Sequence, residues 1–224
     1  MPVSIIILGV LIILNTLSIG ESIRDEFRVN PVVLNAIFLV IFGLLFIIPI
    51  NIDDIIYFSI GGFIVVTIFT MYLLFQTRNK EELGGIALGV MVVIATLFLL
   101  NIFFPFMQEQ LFDYTTAIVG VILGLVTFIA VKNAKNIFII LFLGTPISAI
   151  INFILIRPNS SAHMLFLGNG NFFEIAMMAF ATGCVFMAFK NMYDKSNIKT
   201  PDILTVNKEE IKVIKEEKEK ENEK

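Results

Sequence analysis

Fifteen of the sixteen lysines and arginines in this chain of 224 residues fall on one side of a membrane once its seven long apolar stretches are read as crossings. That regularity restricts the fold more than any motif does. The stretches run Val3 to Gly20, Pro31 to Ile50, Ile55 to Gln76, Leu83 to Phe106, Tyr114 to Val131, Ile137 to Ile156 and Phe172 to Phe189. Each is close to the ~20 apolar residues that carry an α-helix across hydrocarbon. They are about twice as long as a barrel strand and do not alternate, which favours helix over strand.

The first connection holds Arg24 and Arg28, the third Arg78 and Lys80, the fifth Lys135 beside Lys132, and nine lysines follow from Lys190 onward. The second connection (Asn51 to Asp54) and the fourth (Met107 to Asp113) hold none, and the sixth holds only Arg157. Connections rich in Lys and Arg stay cytoplasmic. The expected fold is therefore an all-α polytopic membrane protein: a seven-transmembrane-helix bundle with its N-terminus outside and its C-terminus cytoplasmic. Residues 1–190 form the transmembrane domain, and residues 191–224 a Lys/Glu-rich cytoplasmic tail. The expected location is the cell (cytoplasmic) membrane, with multiple passes. No basic residue precedes the first apolar run, so that span reads as a retained anchor rather than a cleavable signal.

Composition agrees. The chain is 57% hydrophobic and 16% charged, with a mean hydropathy of +0.90, against about 25% charged in soluble domains. All four tyrosines (Tyr57, Tyr72, Tyr114, Tyr193) lie at or just beyond span ends, where amphipathic rings prefer the headgroup zone. The net charge of −3 and the lack of a basic stretch with interleaved aromatics exclude nucleic acid as a partner. Cys184 stands alone, so it makes no internal disulfide or thiolate metal site. No metal or cofactor is expected.

Helices in lipid associate through close packing of small residues. The candidates are Gly61 and Gly62 in the third span, Gly85 and Gly89 in the fourth, Gly120 and Gly124 in the fifth, and Ala179 and Gly183 in the seventh. These serve contacts within the bundle, or a face for another membrane subunit. Pro49, Pro105 and Pro158 mark the outer ends of three spans, as in a lone first helix followed by three hairpins. Pro146 lies inside the sixth span and removes a helical hydrogen bond. It is a candidate hinge, or else a static kink.

The spans hold almost no charge. Transport and proton relay usually leave ionisable groups inside a membrane domain, where each is costly and needs a reason. The one candidate is Glu174, near the outer end of the seventh span. Asn101, Asn152, Arg157, His163 and Glu174 all fall toward the outer side and form a possible outer polar pocket if the sixth connection folds back. Otherwise each is a solvated or snorkelling group. His163 and Glu174 lack metal-ligand spacing. Paired carboxylates, His-rich clusters and nucleophile–base pairs are missing from the spans, so no catalytic residue is expected. The seventh span has neither the internal lysine of retinal proteins nor the Asn-Pro-x-x-Tyr element of G-protein-coupled receptors.

Beyond Thr200-Pro201 the tail is mostly Glu and Lys, and reads as a solvated segment or as a dock for a cytoplasmic partner through Leu204, Ile211 and Ile214. The expected function is a non-catalytic accessory, assembly or sensing component of a membrane complex. The alternative is a carrier or channel for a small neutral or weakly charged solute, and a membrane-embedded enzyme comes last. The expected partners are the lipid bilayer, other membrane subunits through the glycine faces, and a cytoplasmic protein through the tail.

Overall fold

The computed structural model describes residues 3–16, 21–52, 55–103, 114–131, 133–156, 164–168 and 170–198. The chain is mostly helical and divides into two compact units, Met1–Met187 and Ala188–Lys224. In the second unit the described residues are the end of a helix. Of the tail, only residues 191–198 are described, so the readings made of Leu204, Ile211 and Ile214 lie outside the described residues.

The helices are α1 (Val3–Thr16), α2 (Glu21–Glu26), α3 (Pro31–Leu44), α4 (Val66–Gln76), α5 (Lys80–Phe103), α6 (Tyr114–Val131), α7 (Ala134–Ile156) and α8 (Asn171–Ile198). Between α3 and α4 lie β1 (Ile50–Ile52), β2 (Ile56–Phe58) and a π-helical turn, π1 (Ile60–Val65); β3 (Leu165–Leu167) precedes α8. Segments in α5, α7 and α8 are long and apolar enough to cross a membrane, and shorter apolar helices span Ser4–Thr16, Pro31–Leu44, Ile60–Gln76 and Thr116–Val131.

Local chemistry sets the helix starts. Three of them begin just after an asparagine. Asn30 accepts the Val32 N–H at 2.9 Å with Pro31 in the first helical position, Asn79 accepts the Glu81 N–H at 3.0 Å, and Asn133 accepts the Asn136 N–H at 3.2 Å. A side-chain oxygen there satisfies one of the orphan donors of a first turn.

Two of the expected spans are not continuous helix. The stretch Pro31 to Ile50 is helical only to Leu44, because Pro49 disfavours helix in the residue before it and supplies no N–H of its own. The stretch Ile55 to Gln76 opens as strand β2 and then as π1. Ile55, Ile56, Tyr57 and Phe58 are strand formers, and Gly61-Gly62 weakens the helix that follows. Sequence reading expected no strand, yet β2 pairs antiparallel with β1 (Asn51 opposite Tyr57) and parallel with β3 (Tyr57 opposite Phe166). This sheet ties the second connection to the sixth, so the segment before α8 does fold back.

Contacts fix the helix directions within the first unit. Asn15, at the end of α1, donates to Asn35 Oδ1 near the start of α3 at 2.7 Å, so these two run antiparallel. Ser4 of α1 meets Glu174 of α8, start to start. The rings of Phe138 and Phe180 lie 5.3 Å apart and those of Phe142 and Phe173 6.0 Å apart, which sets α7 against α8. Gly89 abuts Ile140 and Gly144 abuts Val93, so α5 runs with α7. Gly120 faces Met178, while Gly124 faces Ala179 and Thr182, so α6 runs with α8. Thr77, just past the end of α4, meets Lys135 at the start of α7, so helices α1, α4, α6 and α8 point one way and α3, α5 and α7 the other. Phe138 is central, its ring also meeting Phe27 and Phe69 at 5.9 and 5.5 Å.

The small residues divide by role. A Cβ on Gly89, Gly120 or Gly124 would collide with the neighbouring helix, Gly183 sits tightly against Ile137, and Ala179 is fully buried. Gly61 packs on the end of α3 at Leu44, and Gly62 on the backbone of Gly168, which adopts a φ of +70°. That pair brings two backbones together rather than two helices. Gly85 is the exception: it is exposed, and a Cβ there would meet nothing. The packing expected of it is not made among the described residues.

Candidate functional site

The two buried charged side chains among the described residues, Glu174 and Lys135, sit at opposite ends of the first unit. Glu174 lies in the first turn of α8, which starts after Gly170; the Gly170 carbonyl accepts from the Phe173 and Glu174 N–H groups at 3.2 Å. Its carboxylate is only 3% exposed. It accepts the Ser4 backbone N–H and the Ser4 hydroxyl, both at 2.6 Å. Glu174 thereby caps α1 from a distant helix, placing negative charge at the positive end of that helix dipole.

The five residues expected to make an outer pocket do not all fall in view. Arg157 and His163 lie outside the described residues, as does the side chain of Asn101. Asn152 is buried one turn from Ser148 on α7 and donates to its hydroxyl at 3.5 Å. Of the five, Glu174 is held by Ser4, a residue that sequence reading did not single out. Nothing in the spacing of 170 residues marks that pair.

At the other end, Lys135 is 3% exposed and forms an ion pair with Glu82 at 3.1 Å. Its ammonium also donates to Thr77 Oγ1 at 3.1 Å, and the Asn136 side chain hydrogen-bonds Glu82. Glu26, at the end of α2, accepts the Ala134 N–H at the start of α7. Helices α2, α4, α5 and α7 are therefore tied together by charge at this end. The sequence signal was available: a lysine two residues ahead of an unbroken apolar run has to be paired if it faces inward.

Pro146 lies within an α7 that continues on both sides of it. Thr145 Oγ1 donates to the Leu141 carbonyl at 2.8 Å, next to the Phe142 carbonyl that Pro146 cannot serve. Beside this point is a cavity of about 20 Å³, room for little more than one water. Gly62 and Phe63 of π1, Thr67 of α4, Thr145 and Pro146 of α7, and Gly168 after β3 contribute to its wall. Two departures from regular helix, the π-turn and the proline, thus border one space. Such departures recur at functional sites. No known protein family, curated protein or solved structure matches this chain.

Among the described residues, no three His, Cys, Asp or Glu side chains cluster as metal ligands. Cys184 is buried.

Proposed function

We propose that this chain is a seven-span protein of the cell membrane, N-terminus outside, acting as a non-catalytic accessory, assembly or sensing component of a membrane complex. The helix directions support the topology: the ends grouped with Arg24, Arg28, Lys80 and Lys135 are the ends that the basic connections place in the cytoplasm. Helix α3 has 14 residues, or about 21 Å, short of the ~30 Å of hydrocarbon. The apolar chain continues beyond it through residues 45–49 to β1, which pairs with β2.

One observation carries the functional reading: each of the two buried charges closes on a neighbour in the same chain, Glu174 on Ser4 and Lys135 on Glu82 and Thr77. Charges spent on internal ties hold a scaffold together. The outward small-residue face is at Gly84 and Gly85, where added side chains would meet open space. That makes Gly85→Leu the informative variant, in place of Gly89 or Gly124, which the bundle itself needs. Purification from native membranes in mild detergent should recover a stoichiometric membrane partner, and Gly85→Leu should release it without lowering the melting temperature. A monodisperse protein with no partner would overturn this reading.

The cavity beside Pro146 favours a second reading, a carrier or channel for a small solute. Proteoliposomes test it, since Pro146→Ala should abolish uptake in a protein that still folds.

A further inference from the structure

We propose that the start of α5 binds an anionic phospholipid of the cytoplasmic leaflet, its phosphate among Arg28, Arg78 and Lys80 and an acyl chain along Gly84, Leu88 and Met91. This rests on the membrane reading above and goes beyond it by naming a ligand. The charges at this end are divided by direction. Glu82 is committed to Lys135 at 3.1 Å, Glu26 to the Ala134 N–H, and Asp25 to Arg24 at 3.4 Å. Two of these three acids are therefore held by the first residues of α7. The cations Arg28, Arg78 and Lys80 are exposed instead, and none of them is in an ion pair among the described residues. They surround one point. Arg78 follows Thr77, which accepts from Lys135; Lys80 stands two residues before Glu82; and Arg28 is near enough for its charge to act on Glu82. Among the described residues here, Glu81 is the exposed acid left outside an ion pair, and three cations outweigh it.

What lies next along the helix favours a lipid over a free phosphate. Residues three or four apart share one face of a helix, and from Lys80 that row runs through Gly84 and Leu88 to Met91. Gly84 has open space where a side chain would stand, and Leu88 and Met91 are exposed. A lysine in this position lays its stem along apolar surface and keeps its charge at headgroup level. A cation, then a gap, then an apolar strip matches a phosphate, then glycerol, then an acyl chain. The basic residues supply selectivity for a negative headgroup, which the apolar strip alone lacks. Gly85 is turned about 100° further round the axis than Gly84, so the lipid lies beside the face assigned to a partner.

The test uses the full-length protein purified in an uncharged mild detergent and titrated with phosphatidylglycerol or phosphatidylcholine, with retained lipid counted by native mass spectrometry. Phosphatidylglycerol should bind saturably and phosphatidylcholine more weakly, and soluble glycerol phosphate should fail to compete. Lys80→Gln and Arg28→Gln should each weaken phosphatidylglycerol binding about fivefold, the scale of one basic residue at an anionic surface. Glu81→Gln should strengthen it, and Gly84→Leu should weaken it by filling the gap. Neither Lys80→Gln nor Gly84→Leu should lower the melting temperature of the lipid-free protein. Equal retention of the two lipids would overturn the proposal. So would effective competition by glycerol phosphate, which would leave an anion site only, or unchanged binding in both Lys80→Gln and Gly84→Leu. The titration contains no partner, so its failure is separate from failure of the partner reading. A protein that stays in solution without detergent would overturn the membrane reading and this site together.

Discussion

The Glu174 carboxylate holds Ser4 twice at 2.6 Å, by its backbone N–H and by its hydroxyl. The start of the first helix is therefore fastened to the start of the last. A buried acceptor that loses its donor costs about 1–3 kcal/mol. Ser4→Ala should lower the melting temperature of the detergent-purified protein, as should Glu174→Ala. Because both remove one tie, the double variant should fall short of their sum. Full additivity in a thermal-melt cycle would show that the two residues do not act together.

The Lys135–Glu82 pair is lopsided, with the lysine 3% and the glutamate 27% exposed. Removing the exposed partner strands a buried charge, whereas removing the buried partner leaves a carboxylate that water can reach. Breaking a buried pair in the first way costs about 3–5 kcal/mol, and a volume-matched apolar replacement is often neutral. Partial exposure of Glu82 reduces the first figure, but the order should hold: Glu82→Gln destabilises more than Lys135→Met. Melting curves that rank them the other way would refute the arrangement.

Gly62 and Gly85 should respond oppositely to alanine. At Gly62 the new methyl would fall on the Gly168 carbonyl, and Gly168, at φ +70°, is itself confined to a glycine conformation. Gly62→Ala should sharply reduce the yield of folded protein. At Gly85 the methyl meets open space, and the gain in helix propensity, about 1 kcal/mol, should leave stability equal or higher. Size-exclusion profiles of the two variants decide this.

Orientation can be read with cysteine labelling. In a Cys184→Ala background, a membrane-impermeant maleimide should label Asn51→Cys on intact cells and Arg78→Cys only after permeabilisation. Labelling of both from one side would end the alternating topology.

How much of this was visible beforehand depends on the range of the forces involved. The seven apolar stretches and the basic gaps are local properties of the chain, and α6 covers the same residues as the apolar stretch Tyr114 to Val131. Gly89, Gly120, Gly124 and Gly183 stand at small-residue spacing in the sequence, and in the fold each lies against a neighbouring helix. The sheet was not, because apolar residues that leave a helix early look the same as those that extend it. Only Pro49 and the strand-forming run at Ile55 to Phe58 hinted at it. Glu174 stands out in the sequence as a carboxylate in an apolar stretch, but Ser4 is an ordinary serine until the fold brings the two together. Asparagines 30, 79 and 133, each opening a helix, were a repeating signal that went unused.

The parallel pairing of β2 with β3 also sets an order of assembly. Tyr57 meets Phe166, so β2 leaves the ribosome more than a hundred residues ahead of the strand that completes its sheet. Until then its open edge and the backbone beside Gly62 have no cover from this chain. A chain halted before residue 165 would carry β2 with its β3-facing edge unpaired.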